Sequence, residues 1–117
     1  MSEAQSVSGT PGIASELTAF QRNILTILAE EARYGLAIKR ELEEYYGTEV
    51  NHGRLYPNLD DLVELGLVEK SELDKRTNQY ELTEAGEGAL LAQFEWEFAK
   101  FVATGDRASA LADLVAE

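Results

Sequence analysis

The stretch Asn51 to Val68, NHGRLYPNLDDLVELGLV, constrains the fold more than any other part of the chain. Leu55, Leu59 and Leu62 recur four and three apart, the repeat of one helical face, and Gly66 stands where a left-handed residue ends a helix at least cost. The pattern predicts one short buried helix. Asn51 is placed to cap its first turn, and His52, Arg54 and Asn58 fall on the side that the leucines leave free.

The flanking segments supply the rest of a small core. Thr18 with Gln21 spells a capping box, and Phe20, Ile24, Ile27 and Leu28 mark a helix from about Ala19 to Glu30. Arg33, Tyr34 and Gly35 turn the chain. A second helix runs to Tyr46, with Ile38, Leu42 and Tyr45 inward and Lys39, Arg40, Glu43 and Glu44 outward, and Gly47 ends it. Two helices joined by so short a turn predict a helix-turn-helix, in which the later helix enters the DNA major groove. Leu67 to Leu73 and Gln79 to Leu82 are β-like runs joined by Asp74, Lys75, Arg76, Thr77 and Asn78, a hairpin with two adjacent cations at its tip. Three helices followed by a hairpin predict a winged helix-turn-helix, mainly α with a small β-hairpin (α+β).

A chain of 117 residues holds one such domain with a modest core and an appended helix. No apolar run approaches a membrane span, and the first sixteen residues lack the basic start and apolar core of a secretory signal. Residues 1–16 read as a flexible arm, residues 17–83 as the winged helix-turn-helix, residues 84–117 as a dimerisation helix with a short terminal helix, and the whole as cytoplasmic. Cysteine is absent, which excludes thiolate chemistry and Cys-based zinc sites, and His52 is the single histidine. Neither cofactor nor metal is expected, and any response to oxidants must be indirect or use a bound ligand.

Charge is the strongest compositional signal, at 22 acidic against 10 basic residues and a net charge of −12. Self-repulsion on this scale opposes compaction of so small a fold, but at about 1 M salt the screening length falls to roughly 3 Å and most of that cost disappears. The acids are spread along the chain and not gathered in one tail, which favours halophilic origin over an acidic protein with one basic partner.

Tyr34-Gly35, then Leu55-Tyr56-Pro57-x-Leu59-x-x-Leu62 with Gly66-Leu67-Val68, then Tyr80-x-Leu82-Thr83-x-x-Gly86 resemble the PadR family of winged-helix transcriptional regulators over about Leu17 to Val102. With the acidity, the likeness is to a haloarchaeal, stress-responsive member. The resemblance implies DNA binding as a homodimer, with the C-terminal helix as the dimerisation element. The chain departs from the family pattern where members carry basic residues, having Asp60, Asp61, Asn78, Gln79 and Glu81 instead, so basic contacts at those positions do not carry over.

The C-terminal segment points to a dimer independently. After the Thr83 cap, Leu91, Phe94, Phe98 and Phe101 recur at three, four and three, the seam of a helix pair. A second stripe, Ala89, Ala92, Trp96, Ala99 and Ala103, lies about 200° round the same helix, so both sides call for cover. In some similar regulators an aromatic on this helix lines a drug-binding space between subunits; for Trp96 plain packing is the better reading. Asp106 caps a last segment, Ala108 to Val115, too short to be stable unless it packs on something.

Two windows are free of acids, Val50 to Leu59 and Lys75 to Tyr80, and they coincide with the recognition-helix start and the wing tip. Arg54 can donate twice to guanine, and Asn51, His52 and Asn58 can bond bases or phosphates. For Asn51 a simple helix cap is an equal reading, and for His52 a solvated ring. Lys39, Arg40, Lys75 and Arg76 are candidate phosphate contacts, although each alone is more often an ordinary surface cation. With so many carboxylates near DNA, solvent cations such as potassium are expected at the interface. An enzyme is disfavoured: Asp60 and Asp61 point about 100° apart and cannot act together on one substrate, and no phosphate loop or nucleophile-and-base set is present. A winged helix used for protein contact in a transcription or chromatin assembly is the remaining alternative.

Overall fold

The computed structural model describes residues 15–75, 77–103 and 105–116. α1 (Ala19–Glu30) starts at the predicted capping box: the Gln21 N–H donates to the Thr18 hydroxyl and the Thr18 N–H to Gln21 Oε1, both at 3.1 Å. β1 (Arg33–Tyr34) leads straight into α2 (Gly35–Tyr46), which Gly47 ends at φ 73°. α3 (His52–Glu64) follows Asn51, whose side chain accepts from the Gly53 N–H at 2.6 Å. Its end is a Schellman turn, with the Leu67 N–H on the Leu62 carbonyl, the Gly66 N–H on the Val63 carbonyl, both at 3.0 Å, and Gly66 at φ 80°. β2 (Val68–Asp74) and β3 (Thr77–Leu82) form the hairpin, and α4 (Glu84–Phe101) and α5 (Asp106–Ala116) complete the chain.

Every helix of the winged-helix unit buries one face on the same core. Ile24 and Leu25 of α1, Ile38 and Leu42 of α2, and Leu55, Leu59 and Leu62 of α3 are fully buried, with Leu67 and Tyr80 closing the hairpin side. This is the expected α+β winged helix, and no described helix is long and apolar enough to cross a membrane. The flexible arm expected over residues 1–16 lies outside the described residues except for Ser15 and Glu16.

Three details differ from the sequence reading. Arg33 and Tyr34 do not simply turn the chain: they pair antiparallel with Tyr80 and Gln79, giving a three-stranded sheet in the order β1-β3-β2. The hairpin tip is tighter than expected, because Thr77 and Asn78 already pair with Asp74 and Glu72, and Leu73 is the extra residue of a bulge. Tyr45 is 73% exposed, whereas Tyr46 stacks on Phe20 with ring centroids 6.1 Å apart. The ring of Phe20 on α1 selects which tyrosine turns in, and the Tyr45 ring rests edge-on against Tyr46.

The Tyr-x-Leu-Thr-x-x-Gly run has a mechanical explanation. Tyr80 fills the core, and Thr83 caps α4 by accepting from the Gly86 N–H at 3.0 Å while its hydroxyl donates to the Gly66 carbonyl at 2.7 Å. Gly86 then passes so close to β2 that a Cβ there would collide with the Leu67 carbonyl oxygen and come within 2.7 Å of a Leu82 methyl. Gly86→Ala is therefore expected to destabilise the protein by about 2 to 3 kcal/mol, because the obstacle is backbone and cannot swing away. Thermal unfolding in 2 M KCl measures it; a melting point unchanged from wild type would contradict the close approach.

Candidate nucleic-acid interface

The start of α3 divides into two flanks and a bare ridge. On one flank the His52 ring lies 5.6 Å from the Tyr56 ring. Tyr56 in turn covers Gly35, where a Cβ would meet the phenol oxygen at 2.6 Å, so the glycine at the start of α2 lets the two helices close up. On the other flank the Arg54 guanidinium sits 3.9 Å above the Phe20 ring of α1. Thus His52, Arg54 and Asn58 do not share one open side as the sequence reading had it. At about 100° per residue, Arg54 and Asn58 turn one way and His52 the other. Between them the ridge presents Gly53 and Pro57 and then Asp60, Asp61 and Glu64, all exposed. Pro57 lies inside the helix and lacks an N–H, which leaves the Gly53 carbonyl without its helical donor.

Several candidate side chains are already engaged. Asn51 accepts from Gly53 as a cap. Asn58 donates its amide to the Arg54 carbonyl at 2.7 Å, leaving its side-chain oxygen for other partners. The Lys39 ammonium is 2.7 Å from Glu43, whose carboxylate also accepts from the Val50 N–H at 2.9 Å. That pair ties α2 to the segment leading into α3. The Lys39 hydrogen bond first, and then the Val50 N–H, hold the Glu43 carboxyl below its ordinary pKa.

Arg40 and Lys75 are exposed and form no ion pair with the described residues; Arg76 lies outside them. Lys70, opposite Tyr80 on the outer strand of the hairpin, is a further exposed cation which the sequence reading passed over because it sits in a strand full of acids. A depression of about 600 Å³ between the hairpin and the starts of α2 and α3 is lined by Tyr34, Leu36, Tyr56, Leu73 and Asn78.

The dimer candidates lie together on α4. The helix is buried only near its start, at Gly86, Ala89 and Leu90. Beyond that Glu97 still reaches Arg22 of α1 at 3.4 Å, while Leu91, Phe94, Phe98 and Phe101 are exposed, Phe94 and Phe98 being stacked 6.1 Å apart. Of the second stripe only Ala89 is buried and Ala92 half-buried, while Trp96 stands out with the Lys100 ammonium 5.7 Å from its ring.

The profile described as the transcriptional regulator PadR-like family matches residues 24–92. Among solved structures, the complex structure of hsRosR-S4 is 67% identical with a TM-score of 0.89, over 92% of this chain and 93% of that one. The RosR of Halobacterium salinarum grown from NaBr is 70% identical with a TM-score of 0.86, over 88% and 94%. A PadR-like transcription factor from Bacteroides fragilis is 26% identical with a TM-score of 0.60, over 68% and 82%. Comparison with curated proteins gives no match.

The lowered Glu43 pKa fixes the sign of a pH effect. A carboxylate with a depressed folded pKa contributes stability above its unfolded value, about pH 4.3, and loses it as pH falls through the lower folded value. Wild type is expected to be more stable than Glu43→Gln near neutral pH, and the gap should close on acidification below about pH 4.3. Urea unfolding of both proteins from pH 7 down to pH 3 checks this, and a gap that widens in acid would contradict it.

Proposed function

The chain belongs to the PadR-like family of transcriptional regulators, DNA-binding winged-helix proteins, and from that premise we propose that it works as a homodimer on a two-fold symmetric duplex site in molar salt. The observation that carries this reading is the coincidence of the acid-free windows, Val50 to Leu59 and Lys75 to Tyr80, with the two elements that a winged helix turns to DNA. α3 enters the major groove by its first turns, where Gly53 and Pro57 let the backbone come close and no carboxylate intervenes. Arg54 reads guanine, and His52 and the free oxygen of Asn58 contact bases or phosphates. Because Asn51 is spent as a cap and Lys39 is neutralised by Glu43, phosphate contact falls to Arg40, Lys75 and Arg76.

The α4 stripe supports the homodimer, since four large apolar side chains stand exposed along one face of it among the described residues. Phe98→Asp is expected to dissociate or unfold the protein. Sedimentation of wild type in 2 M KCl should give twice the chain mass of 12.9 kDa, and a folded monomer at micromolar concentration would sink the dimer.

The acidity supports an unusual salt dependence. An ordinary basic protein releases phosphate counterions and loses about 0.9 logarithmic units of affinity per contact for each tenfold rise in salt. Here Asp60, Asp61 and Glu64 on the α3 ridge face phosphate with few cations beside them, so solvent cations such as potassium are taken up between the two anionic surfaces. Uptake opposes release in the same linkage relation. Affinity for duplex DNA should stay flat or rise between about 0.5 and 3 M KCl, measured by titration with folding checked separately; a steep fall would refute uptake. Such a protein acts in a cytoplasm of high potassium content.

A further inference from the structure

Arg54 differs from the ion-paired cations of the winged-helix unit in what holds it. Arg22 pairs with Glu97, Lys39 with Glu43, and Arg33 with Glu30, Glu31 and Glu41. Arg54 forms no ion pair among the described residues; its guanidinium carbon lies over the Phe20 ring, 3.9 Å from the centroid. Phe20 is 3% exposed and stacks on Tyr46 with 20° between the ring planes, and the Tyr46 hydroxyl accepts from the Asn23 amide at 2.9 Å. Arg54 thus meets Phe20, which is backed by Tyr46, which is held in turn by Asn23: three residues from α1 and α2 in series behind one arginine of α3. Its helical neighbours three and four places away, Val50, Asn51, Pro57 and Asn58, include no acid to compete for it.

We infer that Phe20 and Tyr46 are positioning residues for DNA readout: the Phe20 ring, backed by Tyr46, clamps Arg54 by its guanidinium and so leaves its N–H groups free for a base. The inference rests on the reading of α3 as the groove-entering helix. In a chain with 22 acids and 10 bases, carboxylates compete for every arginine, and a carboxylate occupies the same two donors that guanine needs. A ring takes the face of the guanidinium and none of its N–H groups. The clamp also suits molar salt. Attraction between exposed charges is cut off beyond roughly 3 Å at 1 M, whereas ring and guanidinium touch and leave no room for ions between them. Finally, an arginine already held in place loses less conformational freedom when a base arrives.

The test uses the full chain and two duplexes in 2 M KCl, one enriched by the wild-type protein from a random-sequence pool and one a scrambled duplex of equal length. Phe20→Leu keeps the buried volume and removes the ring; its preference for the enriched duplex should fall about tenfold, with scrambled binding changed by less than about twofold. In an Arg54→Ala background, Phe20→Leu should cause no further loss. Retained preference, equal loss on both duplexes, or a loss that simply adds to that of Arg54→Ala would overturn the inference. If Phe20→Leu does not fold, Tyr46→Leu and the nitrogen-15 NMR signal of Arg54 Nε decide. The free wild type should give a sharp Nε–H signal shifted by the ring, displaced in Tyr46→Leu, and a signal at the position of a free arginine overturns the clamp. Arg54→Ala that keeps full preference overturns the groove assignment itself. A loss in Arg54→Ala without one in Phe20→Leu overturns the clamp alone.

Discussion

The backbone at Gly66 and Leu67 is the joint on which the rest of the molecule depends. The Leu67 N–H closes the end of α3 on Leu62, and the Leu67 carbonyl accepts from the Thr83 N–H at 3.1 Å where β3 ends. The Gly66 carbonyl accepts the Thr83 hydroxyl, and Gly86 of α4 lies against the same peptide with no room for a Cβ. The recognition helix, the base of the wing and α4 therefore share a few fixed backbone contacts. Their mutual angles are set by hydrogen bonds that salt screens little, not by surface charge pairs.

That matters because surface charge works against compaction in this chain. Glu69 and Glu81 stand directly opposite each other in the hairpin, an arrangement that destabilises a sheet wherever their repulsion is unscreened. Arg33 holds three carboxylates from the end of α1 and from α2 with a single positive charge. Such imbalances are tolerable where a short Debye length confines repulsion to near contact. The cations left over are few, and Arg54 at the start of α3 has no acid within four places of it in sequence.

What the sequence made legible was local. Caps at Thr18, Asn51 and Thr83, glycines at 47 and 66, and the leucine spacing of α3 all act within a turn of the residues that encode them, so those boundaries emerged correctly. β1 was missed because two residues carry no period, and its pairing with β3 joins positions far apart in the chain. The Tyr45 and Tyr46 choice failed for a related reason, since the deciding partner, Phe20, belongs to another helix. The surroundings of Arg54 were illegible on the same ground: helical angle gives the side of α3 from which its side chain leaves, but the ring that meets it there belongs to α1.

The two proposed faces are mechanically linked through the Leu67 joint. If α4 pairs with a second copy by Leu91, Phe94, Phe98 and Phe101, the two-fold axis runs beside that stripe, and the distance from axis to recognition helix is fixed by the joint. A symmetric dimer then presents its two α3 starts at one separation, which must match about one turn of duplex or a multiple of it. Small changes where Gly86 meets Leu67 would be carried along α4, whose 18 residues span roughly 27 Å, and magnified at its far end. The tightness of that contact is thus the feature through which a dimer would measure the spacing of its site.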